Sequence, residues 1–176
     1  MDNIVQEALQ ELFIAITARW RNEQGNLCIG ISRKKLLQAG NISFAVLEEL
    51  IRKIKDQIKP LGLEFLEYIY EGEVWYTVHS TYVAPSELNS NEEAMLAVII
   101  SKLETKKDLT TTELKKKLTT GDYFTLYQFD QILKNLEQLG YIKRNKQKIQ
   151  YAPRNLIEFS PDDRKHIGME AERFIF

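Results

Sequence analysis

An α+β fold, mainly helical with small β-hairpins, is what this sequence predicts, and three features carry the prediction. Apolar residues recur at helical spacing in one stretch after another, and two shorter regions switch to a period of two on either side of a turn. The order of these pieces, three helices followed by strand, turn and strand, occurs twice along the chain. The 176 residues, 44% of them hydrophobic, suffice for one sizeable core or two small ones.

In NIVQEALQELFIAITARW, residues Ile4, Val5, Ala8, Leu9, Leu12, Phe13, Ile16 and Trp20 fall on one helical face. Residues 22–26 turn the chain, LCIGI reads as a short strand, and Ser32 can cap a helix over RKKLLQ that Gly40 stops. Ser43 caps the next helix, lined by Val46, Leu47, Leu50, Ile51, Ile54 and Ile58 and ended by Pro60 and Gly62. LEFLEYIY and VWYTVHS around Glu71-Gly72-Glu73 then form a hairpin.

The second half repeats the scheme after the linker-like VAPSELNSN. Ser90 with Glu93, Thr110 with Glu113, and Thr125 with Gln128 each match the capping box, in which side chains satisfy the first free N–H groups of a helix. They open EEAMLAVIISKLETK, TTELKKKLT and a helix striped by Leu126, Phe129, Ile132, Leu133, Leu136 and Leu139 before Gly140. YIKR, Asn145-Lys146 and QKIQYA make the second hairpin, and Leu139-Gly140 ahead of it matches Leu61-Gly62 ahead of the first. A last helix, DRKHIGMEAERFIF, follows the cap Ser160-Pro161-Asp162-Asp163.

Three helices closed by a hairpin "wing" make the winged-helix arrangement, a helix-turn-helix variant, so tandem winged-helix domains are expected. Their boundaries are residues 1–83 and 90–159, with a linker over 84–89 and a helical tail over 160–176.

Composition narrows the function. The formal net charge of -1 excludes the strongly basic balance of a dedicated nucleic-acid coat, so any such binding rests on a local patch. Residues 1–80 hold nine Lys/Arg against eleven Asp/Glu, whereas residues 100–155 hold twelve against six. The single cysteine, Cys28, permits neither an internal disulfide nor a thiolate zinc site and fits a reducing compartment. The acidic, periodic MDNIVQEALQEL is unlike a signal peptide, and no apolar run approaches the roughly 20 residues that span a bilayer. A cytoplasmic, nucleoid or nuclear protein without membrane contact is expected. His79 and His166 lack a neighbouring nucleophile or metal-ligand spacing, and no glycine-rich phosphate loop occurs. No catalytic residue, metal or cofactor is therefore predicted.

Nearly the whole chain, residues 4 to 159, resembles the KITE family, the kleisin-interacting tandem winged-helix elements of SMC complexes, a group that includes the MAGE homology domain. EEAMLAVIISKLE and FDQILKNLEQLGYIKR resemble its second winged helix, and YAPRNLIEF resembles its "GPR-x-x-x-E" ending. Pro153, Arg154 and Glu158 match that ending, while Ala152 stands where the family usually has glycine. The resemblance implies a non-enzymatic subunit that binds a kleisin, forms a homodimer or a heterodimer with another KITE protein, and assists an SMC ATPase on DNA. One relative carries a zinc-binding RING, for which the cysteines are absent here.

Two groups of side chains are candidates for contact. Lys143, Arg144, Lys146 and Lys148 on the second wing, with Lys115, Lys116 and Lys117 on the short helix, can neutralise phosphates of double-stranded DNA without reading sequence. The competing view is that hairpin tips carry lysine for solubility and edge protection. Tyr68, Tyr70, Trp75, Tyr76 and Tyr127, with Phe174 and Phe176 of the tail, can line a partner's site or simply pack the core. In FTLYQFDQILKNLEQLG the acids Asp130 and Glu137 oppose phosphate, which argues against major-groove reading. A stand-alone winged-helix transcriptional regulator is the alternative from another class, and the MAGE resemblance adds an adaptor for a ubiquitin ligase.

Overall fold

The computed structural model describes residues 2–81, 86–106, 108–121 and 123–175, with side chains over 5–81, 86–106, 108–121 and 123–173. The chain divides into two compact units, one of residues 1–22 and 28–84, the other of residues 85–176 with 23–27. Both are α+β, as the two periodicities predict. Among the described residues no helix is long and apolar enough to cross a membrane.

The first unit comprises α1 (Asp2–Thr17), β1 (Arg19–Arg21), β2 (Leu27–Ile29), β3 (Ile31–Ser32), α2 (Arg33–Gly40), α3 (Phe44–Ile58), a 3-10 turn over Lys59–Leu61, β4 (Leu63–Tyr70) and β5 (Glu73–Ser80). Its main sheet has the order β3-β5-β4, all antiparallel. Leu47, Ile51, Ile54 and Ile58 recur every three to four residues along α3, so they form one stripe. That stripe meets Leu9, Leu12 and Ile16 of α1 and Tyr76 of β5 in a single core. Burying each such side chain contributes about 1.5–3 kcal/mol. An exposed ion pair such as Glu49–Lys53 contributes at most about 1 kcal/mol, so the stripe sets the stability of the unit.

Two local expectations shift. Trp20 leaves the first helix: the chain straightens after Thr17, and the Trp20 indole, in β1, donates to Gly30 O at 3.1 Å and stacks on Trp75 at 6.2 Å. Gly40 does not stop α2; Asn41, with φ 45°, takes the left-handed turn.

The second unit repeats the plan: α4 (Ser90–Lys106), β6 (Leu109–Thr110), α5 (Thr111–Thr120), α6 (Leu126–Gln138), β7 (Ile142–Asn145), β8 (Lys148–Tyr151), then α7 (Pro153–Glu158) and α8 (Pro161–Ile175). Its sheet order, β6-β8-β7, is the same permutation as in the first unit. Gly62 and Gly140 occupy equivalent places before the two wings, with φ of 68° and 82°. The core gathers Met95, Ile99, Leu114, Phe129, Leu133 and Ile149. Helix α8 lies along α4, close enough that a Cβ on Gly168 would stand 3.3 Å from Ser101 Cα.

One of the three predicted capping boxes forms as read. Thr125 Oγ1 accepts from Gln128 N–H at 3.2 Å, while Gln128 Oε1 accepts from Thr125 N–H at 3.0 Å. Thr110 accepts from Glu113 N–H, but the Glu113 carboxylate turns to Lys106 at 3.0 Å instead. The box at α4 is displaced by one residue: Asn89 Oδ1 accepts from Glu92 N–H at 3.1 Å, and Glu92 returns the bond to Asn89 N–H at 2.9 Å. The buried Glu92 also accepts from Asn135 of α6 at 3.0 Å, a contact that Glu93 does not make. Replacing Thr125 by alanine is expected to cost about 1 kcal/mol of stability, read as a lower denaturation midpoint with unchanged m-value.

Candidate nucleic-acid interface

The second wing is pinned to the first turn of α5. Thr111 N–H donates to Gln147 O at 2.8 Å, and the Thr112 hydroxyl donates to Gln147 Oε1 at 2.6 Å. The turn falls at Lys146-Gln147, one residue later than Asn145-Lys146, with Lys146 at φ 57°. Docked this way, the wing and α5 enclose an open cleft of about 470 Å³ lined by Lys115, Lys116, Arg144 and Lys146, together with Thr112, Thr119 and Leu126. Four of the seven predicted phosphate-binding residues thus meet in one place, although 28 to 31 positions separate them along the chain.

The four cations are not equivalent. Lys115 Nζ is 3.1 Å from both oxygens of Asp130, and Arg144 is held by Glu137 through its own N–H at 3.1 Å and its Nε at 3.0 Å. Lys116 and Lys146 form no ion pair with any described residue. Exposed pairs of this sort are worth about 0–1 kcal/mol, so Lys115 can exchange Asp130 for a phosphate oxygen at small cost. The remaining three predicted residues lie off the lining. Lys148 pairs with Asp108 at 2.8 Å, Lys143 stands on the far side of the strand from Arg144, and Lys117 sits by Lys102 and Lys106. Partial burial, then those two lysines, hold the Lys117 ammonium below its usual pKa.

Thr111, Thr112, Thr119, Leu126 and Gln147 complete the cleft and were not among the sequence candidates. The i, i+4 repetition of threonine with Lys115 and Lys116 was the available signal for α5. Nothing local marks Gln147. On the outer face of α6, Gln128 is consumed by the cap and Asp130 by Lys115. Gln131 and Lys134 are left as exposed groups of the kind that read bases, a sparse set for sequence recognition.

The aromatic candidates divide. Tyr68, Tyr70 and Trp75 are buried against one another on the sheet face opposite α3, with the Tyr68 hydroxyl donating to Ile29 O at 2.5 Å. Burial, followed by proximity to Cys28, pushes the Tyr68 phenol above its ordinary pKa. Tyr76 faces the helices and accepts from Arg33 Nε at 2.8 Å. A partner docking on these four would have to displace packing already present. Tyr127 is 74% exposed on the first turn of α6, beside Leu126 of the cleft. The side chain of Phe174 and all of Phe176 lie outside the described residues.

The 151–159 stretch is a clamp. Arg154 donates through Nε to Glu158 at 2.5 Å and through Nη1 to Glu87 at 3.0 Å, and its guanidinium lies 4.6 Å from the Tyr141 ring centre. The Tyr141 hydroxyl donates to Glu158 at 2.7 Å. Burial works against the Arg154 charge, but these carboxylates outweigh it and raise its pKa. Ala152 has φ -107°, a conformation that needs no glycine.

The architecture has a solved counterpart. A chain of the Nse1-Nse3-Nse4 complex matches with a TM-score of 0.51 and 12% sequence identity, over 87% of this chain and 69% of that one. At that identity the likeness is one of fold. No family model matches the chain, and no curated protein sequence matches it.

Proposed function

We propose that this chain is a non-enzymatic, KITE-type accessory subunit of an SMC-kleisin complex that binds a kleisin and holds duplex DNA by its backbone. The observation that carries the proposal is the winged helix built twice with one strand permutation, extending over most of a chain that has a fold counterpart in the Nse1-Nse3-Nse4 complex. The basic cleft supplies the DNA contact: two lysines without an ion pair among the described residues, Lys115 in an exposed pair and Arg144 anchored by Glu137 suit phosphates, which position a protein without encoding sequence. A dimer, formed with a second copy or another KITE protein, belongs to the same reading.

The test is assembly. Size-exclusion chromatography with light scattering, with and without a fragment of a kleisin encoded in the same genome, is expected to show a stoichiometric complex. A chain that ignores every such kleisin, yet binds one operator sequence at about 200 mM salt, would establish the transcriptional regulator instead.

A further inference from the structure

The two wings end in different kinds of sheet edge. In the second unit the outer strand β7 is four residues long and carries Lys143 and Arg144, two devices that blunt an edge against pairing. In the first unit the outer strand β4 runs for eight residues, Leu63–Tyr70, with no proline, lysine or arginine.

The register shows which backbone groups face outward. Gly62 O accepts from Thr81 N–H, and the hairpin closes through the two-residue turn Glu71-Gly72 between Tyr70 and Glu73. Hydrogen-bonded pairs alternate along an antiparallel ladder, so even-numbered residues of β4 bond to β5. The N–H and C=O groups of Leu63, Phe65, Glu67 and Ile69 point away from the sheet, and no described backbone group meets them. Two side chains along this edge are open too, Ile69 at 69% and Glu67 at 54% exposed.

We infer that the β4 edge binds an extended segment of another polypeptide as an added antiparallel or parallel strand, and that this segment carries a basic residue and an apolar one two positions apart, on the same face. Charge selects the occupant. Glu64, Glu67, Glu71 and Glu73 line the strand and its turn; among the described residues His79 stands 3.5 Å from Glu64, Arg33 stands 3.5 Å from Glu67, and Lys55 lies over the Phe65 ring. A second copy would set this acidic rim against itself, whereas lysine or arginine beside Glu67 and an apolar residue beside Ile69 complement both. The inference does not require the partner to be a kleisin, and none of the residues of the basic cleft takes part.

The probe is a ten-residue synthetic peptide in which lysine and valine alternate at every second position with threonine between them, titrated into the isotope-labelled full chain and followed by amide chemical shifts. The expected result is a set of changes confined to residues 63–69, with affinity at least about tenfold weaker for the glutamate counterpart of the peptide. Glu67→Pro removes an outward N–H without touching the β4–β5 ladder and is expected to weaken binding by about tenfold or more. Glu67→Lys keeps every backbone group, secures the test if the proline variant does not fold, and is expected to weaken the basic peptide similarly. Shift changes elsewhere, or unchanged affinity in a folded variant, would overturn the inference. So would a dimer of the unmodified chain that Glu67→Pro converts to monomer, because the edge would then belong to a second copy.

Discussion

Alanine at Lys115, Lys116, Arg144 and Lys146 together is expected to remove most of the duplex-DNA affinity and to flatten its dependence on salt. Each phosphate neutralised on B-DNA contributes about 0.9 to the slope of log affinity against log salt, so four contacts give a slope near 3.6. Between about 50 and 200 mM salt the unmodified chain should then lose on the order of a hundredfold in affinity, while the quadruple variant, already weak, should change little. Fluorescence anisotropy on two duplexes of unrelated sequence reads both quantities, and the loss should be alike on each because phosphates carry no sequence information. Lys143→Ala with Lys148→Ala is the discriminating control. Both belong to the same wing but lie outside the cleft, so the pair should cost far less than the cleft residues. Equal losses in the two variants would mean that general charge on the wing, and not the cleft, does the binding.

Gly30→Ala is expected to destabilise the first unit by about 3 kcal/mol or more, a large share of the 5–15 kcal/mol that holds a typical domain together. Gly30 joins β2 to β3 at φ 77°, where its N–H donates to Ala18 O at 2.7 Å and its carbonyl accepts the Trp20 indole. A Cβ there would stand 1.9 Å from Tyr76 O, a backbone atom at the centre of β5, so either β3 leaves the sheet or β5 bends. Gly72 supplies the comparison. Its φ of 75° is nearly the same, but nothing lies within 4 Å of its would-be Cβ. Gly72→Ala should therefore cost only the conformational term, about 1 kcal/mol. Chemical denaturation of the two variants separates clash from backbone preference, and equal losses would show that the close approach of Gly30 to β5 does not matter.

The longer helices and both wings were legible because their signals are local, whereas the six-residue α7 (Pro153–Glu158) was not read as a helix. Leu47, Ile51 and Ile54 declare a buried face by spacing alone, and Thr125 with Gln128 declares its own helix start. The three-residue β1 and β2 and the two-residue β3 and β6 were legible only in part, LCIGI being the one visible trace. Runs that short carry no periodicity: β1 and β2 become strands by pairing with each other, and β3 and β6 only when the distant β5 and β8 supply partners. Trp20 misled the reading for a related reason: it continues the helical spacing of α1, but its indole finds a better partner in Trp75, far along the chain.

The same division applies to the site. That basic residues crowd α5 and the second wing is a property of the sequence. Which of them act together depended on Gln147 anchoring the wing to Thr111 and Thr112, a long-range pairing that brings Lys146 and Arg144 to Lys115 and Lys116 and leaves Lys143, Lys148 and Lys117 outside.

By itself, the order of amino acids determined two helical modules with hairpin wings, their buried stripes and the sign of charge on each half, because all of these follow from spacings of a few residues. Only the tertiary structure decided which cations share a cleft, which aromatic side chains are already covered, and which strand edge stands open, because each depends on atoms that meet across tens of residues of chain.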